Sequence, residues 1–101
     1  MIRHIVTFAF RDTLSREAAE AGLRAALEPL ARSVPGVLAL EVAVDDSGIS
    51  GHWDAVLISH HASAEDLAAY QIHPDHLAAV EALDPIVGNR SVVDSSVESP
   101  L

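Results

Sequence analysis

Ile2-Arg3-His4-Ile5-Val6-Thr7-Phe8-Ala9-Phe10 opens the chain and decides its fold. Two-residue alternation puts His4, Val6, Phe8 and Phe10 on one face of a strand, and Ile5, Thr7 and Ala9 on the other. Both faces are largely apolar, so the strand belongs in the middle of its sheet with cover on both sides.

The segments that follow supply cover for one face. Ser15 caps a helix expected from about Arg16 to Ser33, and Glu17 in its first turn complements the helix dipole. Leu23, Leu27, Leu30 and Val34 recur at three- and four-residue steps and form its buried stripe. Pro29 removes one helical hydrogen bond, so it should kink or divide this helix. Pro35-Gly36 ends it, and Val37 to Val44 reads as a second strand. Asp45 to His52 is a loop between antiparallel neighbours, and Trp53 to His60 is the third strand. Ser63 and Asp66 pair at the start of a helix running to about Gln71. Pro74 suits the first turn of another, His76 to Leu83, with Leu77, Val80 and Leu83 as its apolar side. Arg90 to Val97 is the last strand.

The order β-α-β-β-α-β predicts an α+β, ferredoxin-like fold: a four-stranded antiparallel sheet with helices on one face. The helices leave the other face open, and a second copy of the chain is its simplest cover. A homodimer through the open sheet face, a dimeric alpha/beta barrel, is therefore expected. Residues 1–97 read as a single domain and 98–101 as a flexible C-terminal tail. No linker, repeat or low-complexity tract appears.

Composition narrows the function. The chain has 101 residues, and one of this length buries roughly 60–65% of its unfolded surface, so a partner subunit would stabilise it. Fifteen acidic against 6 basic residues give a formal charge of −9, which argues against nucleic acid and anionic membrane surfaces. The absence of cysteine excludes disulfides, thiolate catalysis and thiolate metal sites. No signal-peptide pattern and no long apolar run is present, so a cytoplasmic protein is expected.

The chemistry-bearing residues concentrate in Tyr70-Gln71-Ile72-His73-Pro74-Asp75-His76, which holds the only tyrosine and two of the 6 histidines. Imidazole titrates near neutral pH and suits abstraction of an acidic carbon-bound proton. His76 is the candidate base if its helix opens over the strand face carrying His4. Tyr70 and His4 would then hydrogen-bond the carbonyl or enolate oxygen. A pocket between them would be mostly apolar, fitting a small apolar or keto-acid ligand. Plainer roles compete: His4 and Tyr70 as satisfied core residues, His76 as a brace at its helix start, His73 as an N-cap, Asp75 as a dipole partner. His52, His60 and His61 read as loop and strand-end surface residues. His73, His76 and His4 together offer three metal-binding nitrogens, but Pro74 places His73 outside the helix start, and no metal is expected. No glycine-rich phosphate loop is present, and no cofactor is expected.

His4-Ile5-Val6-Thr7-Phe8, Pro35-Gly36-Val37, Asp54-Ala55-Val56-Leu57, Tyr70 to His76 and Val92-Val93-Asp94 together resemble the stress-response alpha/beta-barrel (Dabb) domain family from about Ile2 to Val97. The resemblance implies dimeric ferredoxin-like barrels in which two sheets face each other, without one shared reaction. A plant member, a polyketide cyclase, closes a linear poly-β-keto thioester by an aldol step. Its essential histidines correspond to His4 and His76, and one tyrosine to Tyr70. That enzyme also uses a tyrosine on the first long helix, where this chain has the apolar Ala26-Leu27. Three readings follow. One is a homodimeric barrel with a small-ligand pocket and no assigned chemistry. The second is a cofactor-independent cyclase, isomerase or lyase with His76 as base. The third is an assembly protein without a ligand. An internal cavity beside His4 and His76 separates the first two from the third.

Overall fold

The computed structural model describes residues 1–99. Its elements are β1 (Ile2–Phe10), α1 (Arg16–Leu27), α2 (Leu30–Ser33), β2 (Val37–Val44), β3 (Ala55–His61), α3 (Ala64–Ile72), α4 (Pro74–Leu83) and β4 (Val87–Ser96). They form one four-stranded sheet in the order β2-β3-β1-β4, antiparallel at every pairing. The strand with two apolar faces is internal, as expected, between β3 and β4. Part of the expected tail, residues 100 and 101, lies outside the described residues. None of the helices is long and apolar enough to cross a membrane.

Local chemistry sets the helix boundaries. The Ser15 hydroxyl accepts from Ala18 N–H at 3.1 Å and the Ser63 hydroxyl from Asp66 N–H at 3.1 Å, each satisfying a donor left open at a helix start. Pro29 divides the long helix and becomes the N-cap of α2. The chain then turns at Gly36, whose φ of +85° lies in the left-handed region. Strand β4 begins three residues earlier than expected, because Val87 pairs with Phe10 across a register shift. Strand β3 begins two residues later than expected, leaving Trp53 outside it.

The core lies between the sheet and the helices. Val6 and Phe8 of β1, Val42 of β2 and Leu57 of β3 meet Ala19, Leu23 and Leu27 of α1, Leu67 and Tyr70 of α3, and Ala79 and Leu83 of α4, all buried. The expected apolar side of α4 needs correction. Leu77 is 55% exposed and does not pack on the sheet face. The inward stripe is His76, Ala79, Val80 and Leu83, the i, i+3, i+4, i+7 pattern of a straight helix. Steps of three from residue 77 drift around the helix. The inward position one residue earlier falls to a histidine.

The opposite sheet face has no cover among the described residues. Register places Arg3, Ile5, Thr7 and Ala9 there with Val56, Ile58 and His60 of β3 and Ser91 and Val93 of β4. Val93 is 58% exposed, and Ile5, Val56 and Ile58 are half-buried.

Gly36 gives a direct test of the turn into β2. A Cβ there would stand 2.8 Å from Asp66 Cγ in a backbone conformation that L-residues disfavour. Gly36→Ala should cost about 1–3 kcal/mol in urea unfolding with the fold retained. An unchanged unfolding midpoint would refute this account of the turn.

Candidate functional site

The residues singled out in the sequence converge at one end of the helix layer. His4, from the middle of the sheet, is buried on the helix side. Its two neighbours in the ladder are Ser59 of β3 and Asp94 of β4. Tyr70 stands in the last turns of α3, fully buried. His76 opens the inward stripe of α4. The Tyr70 ring centre lies 4.5 Å from that of His76 and 6.0 Å from that of His4, so the tyrosine ring packs against both imidazoles.

His73 stays outside this group. It ends α3 and caps α4, with its Nδ1 accepting from Asp75 N–H at 3.0 Å. This is the N-cap role expected for it. Pro74 follows as the first residue of α4 and fixes where that helix begins. Among the described residues no group of three or more His, Cys, Asp or Glu side chains is placed to hold a metal ion.

Two of the histidines assigned to the surface require correction. His60 is buried on the open sheet face, where Arg3 Nε donates to its Nε2 at 3.2 Å. His61 is fully buried on the helix side, 4.7 Å from the Tyr70 ring centre and 6.0 Å from that of His4. Strand β3 is internal, so its end remains covered, which the ends of edge strands do not. His52 does sit in the β2–β3 loop, where it pairs with Asp45 at 3.3 Å.

Hydrogen bonds assign the protons. Nδ1 of His76 lies 3.0 Å from the Gln71 carbonyl oxygen, which can only accept. Nδ1 therefore carries a proton, and Nε2 of the neutral ring holds the free lone pair. Burial lowers the His76 pKa, His4, Arg90 and His73 add to that shift, and the Gln71 carbonyl opposes it. Nδ1 of His4 lies 2.5 Å from Asp94 Oδ1, a carboxylate contact that fixes the ring and leaves Nε2 for another partner. Nε2 of His61 bonds the Ser59 hydroxyl at 2.8 Å. Its Nδ1 and the Tyr70 hydroxyl are buried without a hydrogen-bond partner among the described residues. Burial pushes the Tyr70 phenol up to about 12.

A hollow of about 220 Å³ opens beside the pair, lined by His4, Val6, Gln71, His76, Val80, Arg90 and Val92. A second, of about 340 Å³, continues along α4 past Phe8, Leu83 and Val87. Val80 and Arg90 border both. Tyr70 borders neither, so it reaches the hollow only through the rings it packs against. Asp94, His61 and Arg90 were not singled out as site residues from the sequence. Asp94 and Arg90 have one signal in common: both fall on the helix-facing alternation of β4, which becomes visible once its register against β1 is known.

Comparison with known proteins agrees with this architecture. The family model described as Stress responsive A/B Barrel Domain matches residues 2–97. A dimeric ferredoxin-like protein of unknown function from Thermobifida fusca is 27% identical, with 95% of this chain and 90% of that chain covered and a TM-score of 0.84. A dimeric protein of unknown function with a ferredoxin-like fold, from Bacteroides fragilis, is 26% identical over 95% of each chain, with a TM-score of 0.81. The hydroxynitrile lyase of Passiflora edulis shares the fold at 16% identity, with 99% and 95% of the two chains covered and a TM-score of 0.83. No curated protein matches.

Burial of His61 has a pH consequence. Burial, with His4 adding and Asp94 opposing, holds its imidazole down at about 4 against an ordinary 6.5. Between those values the unfolded chain binds more protons, so stability should fall as pH drops from about 6.5 towards 4. His76 adds to the loss in the same direction. Asp45, whose carboxyl His52 holds low, loses its contribution only as pH falls below its ordinary 3.8. The urea midpoint should therefore drop between pH 7 and pH 5, and His61→Asn should flatten that drop. Equal slopes in the two proteins would exclude His61 as its source.

Proposed function

The chain belongs to the stress responsive A/B barrel domain family, and from that premise we propose that it is a homodimer that binds a small carbonyl compound beside His76 and enolises it. The observation that carries the reading is the Gln71 carbonyl on His76 Nδ1, which leaves Nε2 as the basic nitrogen in a hollow shared with His4. A lowered pKa keeps His76 neutral at pH 7, the form a general base requires.

In the proposed step, Nε2 of His76 takes a proton from the carbon next to the carbonyl. The C–H electron pair forms the carbon–carbon double bond of the enolate, and the carbonyl pair moves onto oxygen. His4, its Nδ1 fixed by Asp94, donates from Nε2–H to the developing oxyanion. Preorganised donors of this kind stabilise charge that appears only as the reaction proceeds. Tyr70 packs against both imidazoles, and the proton returned by His76 completes an isomerisation or follows a carbon–carbon bond change.

The test is deuterium exchange at the carbon next to the carbonyl, followed by NMR in D2O over a panel of short 2-oxo and 3-oxo acids and their esters. Exchange of at least one compound should exceed the buffer rate and fall about 10²–10⁴-fold in His76→Ala. His4→Ala should cost less, and Tyr70→Phe least, because it keeps the ring that packs against both imidazoles. Exchange at the same rate in wild type and His76→Ala would end the proposal.

The dimer reading rests on the open face of Ile5, Val56, Ile58 and Val93, and the two similar proteins above are described as dimeric. Ile5→Asp would bury a charge between the facing sheets and should yield monomer or aggregate in sedimentation. A monomeric wild-type chain would refute it.

A further inference from the structure

We propose that Arg90 is the anchor for a carboxylate on the ligand, so that the compound handled here is a small carbonyl-containing acid and not a neutral ketone, aldehyde or ester. The inference rests on the reading of His76 as base and specifies what it acts upon.

Three observations converge on Arg90. The first is position. Arg90 pairs with Phe8 across β1 and β4, which places it on the helix side of an edge strand. It borders both hollows, so it stands where the smaller, histidine-lined space meets the larger one, whose lining mixes Phe8, Leu83 and Val87 with Arg11, Asp84 and Asn89. The second is the state of its charge. The chain carries 15 acidic residues against 6 basic ones, and most of the arginines are engaged. Arg11 pairs with Asp84, Arg16 with Asp54, and Arg24 with Glu20 and Glu28, while Arg3 bonds His60. Arg90 takes part in none of the ion pairs among the described residues. The third is the state of the nearby carboxylates. The Asp94 carboxylate is held by His4, and the Asp84 carboxylate has Arg11 3.9 Å away.

A guanidinium presents a planar fork of donors that matches a carboxylate in two parallel hydrogen bonds. A ligand carboxylate seated there is oriented as well as attracted. Its carbonyl then lies in the smaller hollow between His4 and His76, and an apolar tail runs past Val80 towards Phe8 and Leu83. Neutral compounds of the same shape would fill the hollows but leave the guanidinium unpaired. Selectivity for the acid follows from that difference, because removing a charged hydrogen-bond partner costs more than removing apolar contact.

The experiment measures binding by calorimetry for a panel of 2-oxo, 3-oxo and aryl acids, each beside its methyl ester. The proteins are wild type, Arg90→Gln, Arg90→Lys and His76→Ala. The tighter acids should bind wild type roughly 10–100-fold better than their esters, the range expected for one charged hydrogen-bonded pair. Arg90→Gln should lower acid affinity far more than ester affinity, so that the preference is lost. Arg90→Lys should restore part of it, since the charge returns without the fork. His76→Ala should keep the acid preference and lose the exchange reaction, which separates failure of the anchor from failure of the base. The proposal is overturned if no acid binds better than its ester, if nothing in the panel binds, or if the preference survives in Arg90→Gln. Circular dichroism of Arg90→Gln guards against misfolding, and Arg90→Lys supplies the reading if that variant fails to fold.

Discussion

Burial of β1 on both faces is the constraint on which the rest of the molecule depends. An internal strand flanked by β3 and β4 can be apolar on both sides only if two layers cover it. The chain has helices enough for one layer. Val6 and Phe8 on the helix side are buried within the chain, whereas Ile5 and the apolar residues beside it are left for a second molecule. The same strand carries His4, so the covering that builds the core also withdraws an imidazole from water. Fold and candidate chemistry share one strand.

A second constraint acts at the junction of α3 and α4. Because proline lacks an N–H and is preorganised for a helix start, Pro74 ends one helix and begins the next within two residues. His73 is left to cap the new helix, and the phase of α4 is set from Pro74 onward. That phase turns His76 inward and Leu77 outward. The break also leaves the Gln71 carbonyl near the helix end, where it accepts from His76 in place of a backbone donor. A continuous helix through this segment would use that carbonyl in its own ladder, and the imidazole proton would have no fixed position.

Much of this was legible from residue order. The strand boundaries of β1 and β2, the division at Pro29 and the caps at Ser15 and Ser63 follow from local rules of alternation, capping and turn chemistry, whereas the grouping of His4 with Tyr70 and His76 was implied by the family resemblance. What stayed hidden depends on pairing between distant segments. Asp94 becomes a partner of His4 only through the β1–β4 register. His61 reads as a strand-end surface residue until β3 is known to be internal. Leu77 and His76 differ by a single helical position, and three-residue spacing alone favoured the wrong one. Short helices give that error room, because one turn offers too few apolar positions to define the phase.

The cost of the site bears on how it should be understood. The Tyr70 hydroxyl and His61 Nδ1 are buried without partners among the described residues, and each such group typically costs about 1–3 kcal/mol. Phenylalanine at 70 and an aliphatic residue at 61 would fill similar space without that cost. The neutral form of His61 is imposed by burial and makes the domain less stable in mild acid. Pure packing would avoid every one of these features. Their concentration around the Tyr70 ring, among the described residues, is the pattern of a region where stability is given up for polar groups held in place. Rigid placement matters because a base and an oxyanion donor act on opposite ends of one carbonyl unit, and small errors in their separation weaken both. Tyr70, whose ring packs against those of His4, His61 and His76, braces all three imidazoles independently of what its hydroxyl does.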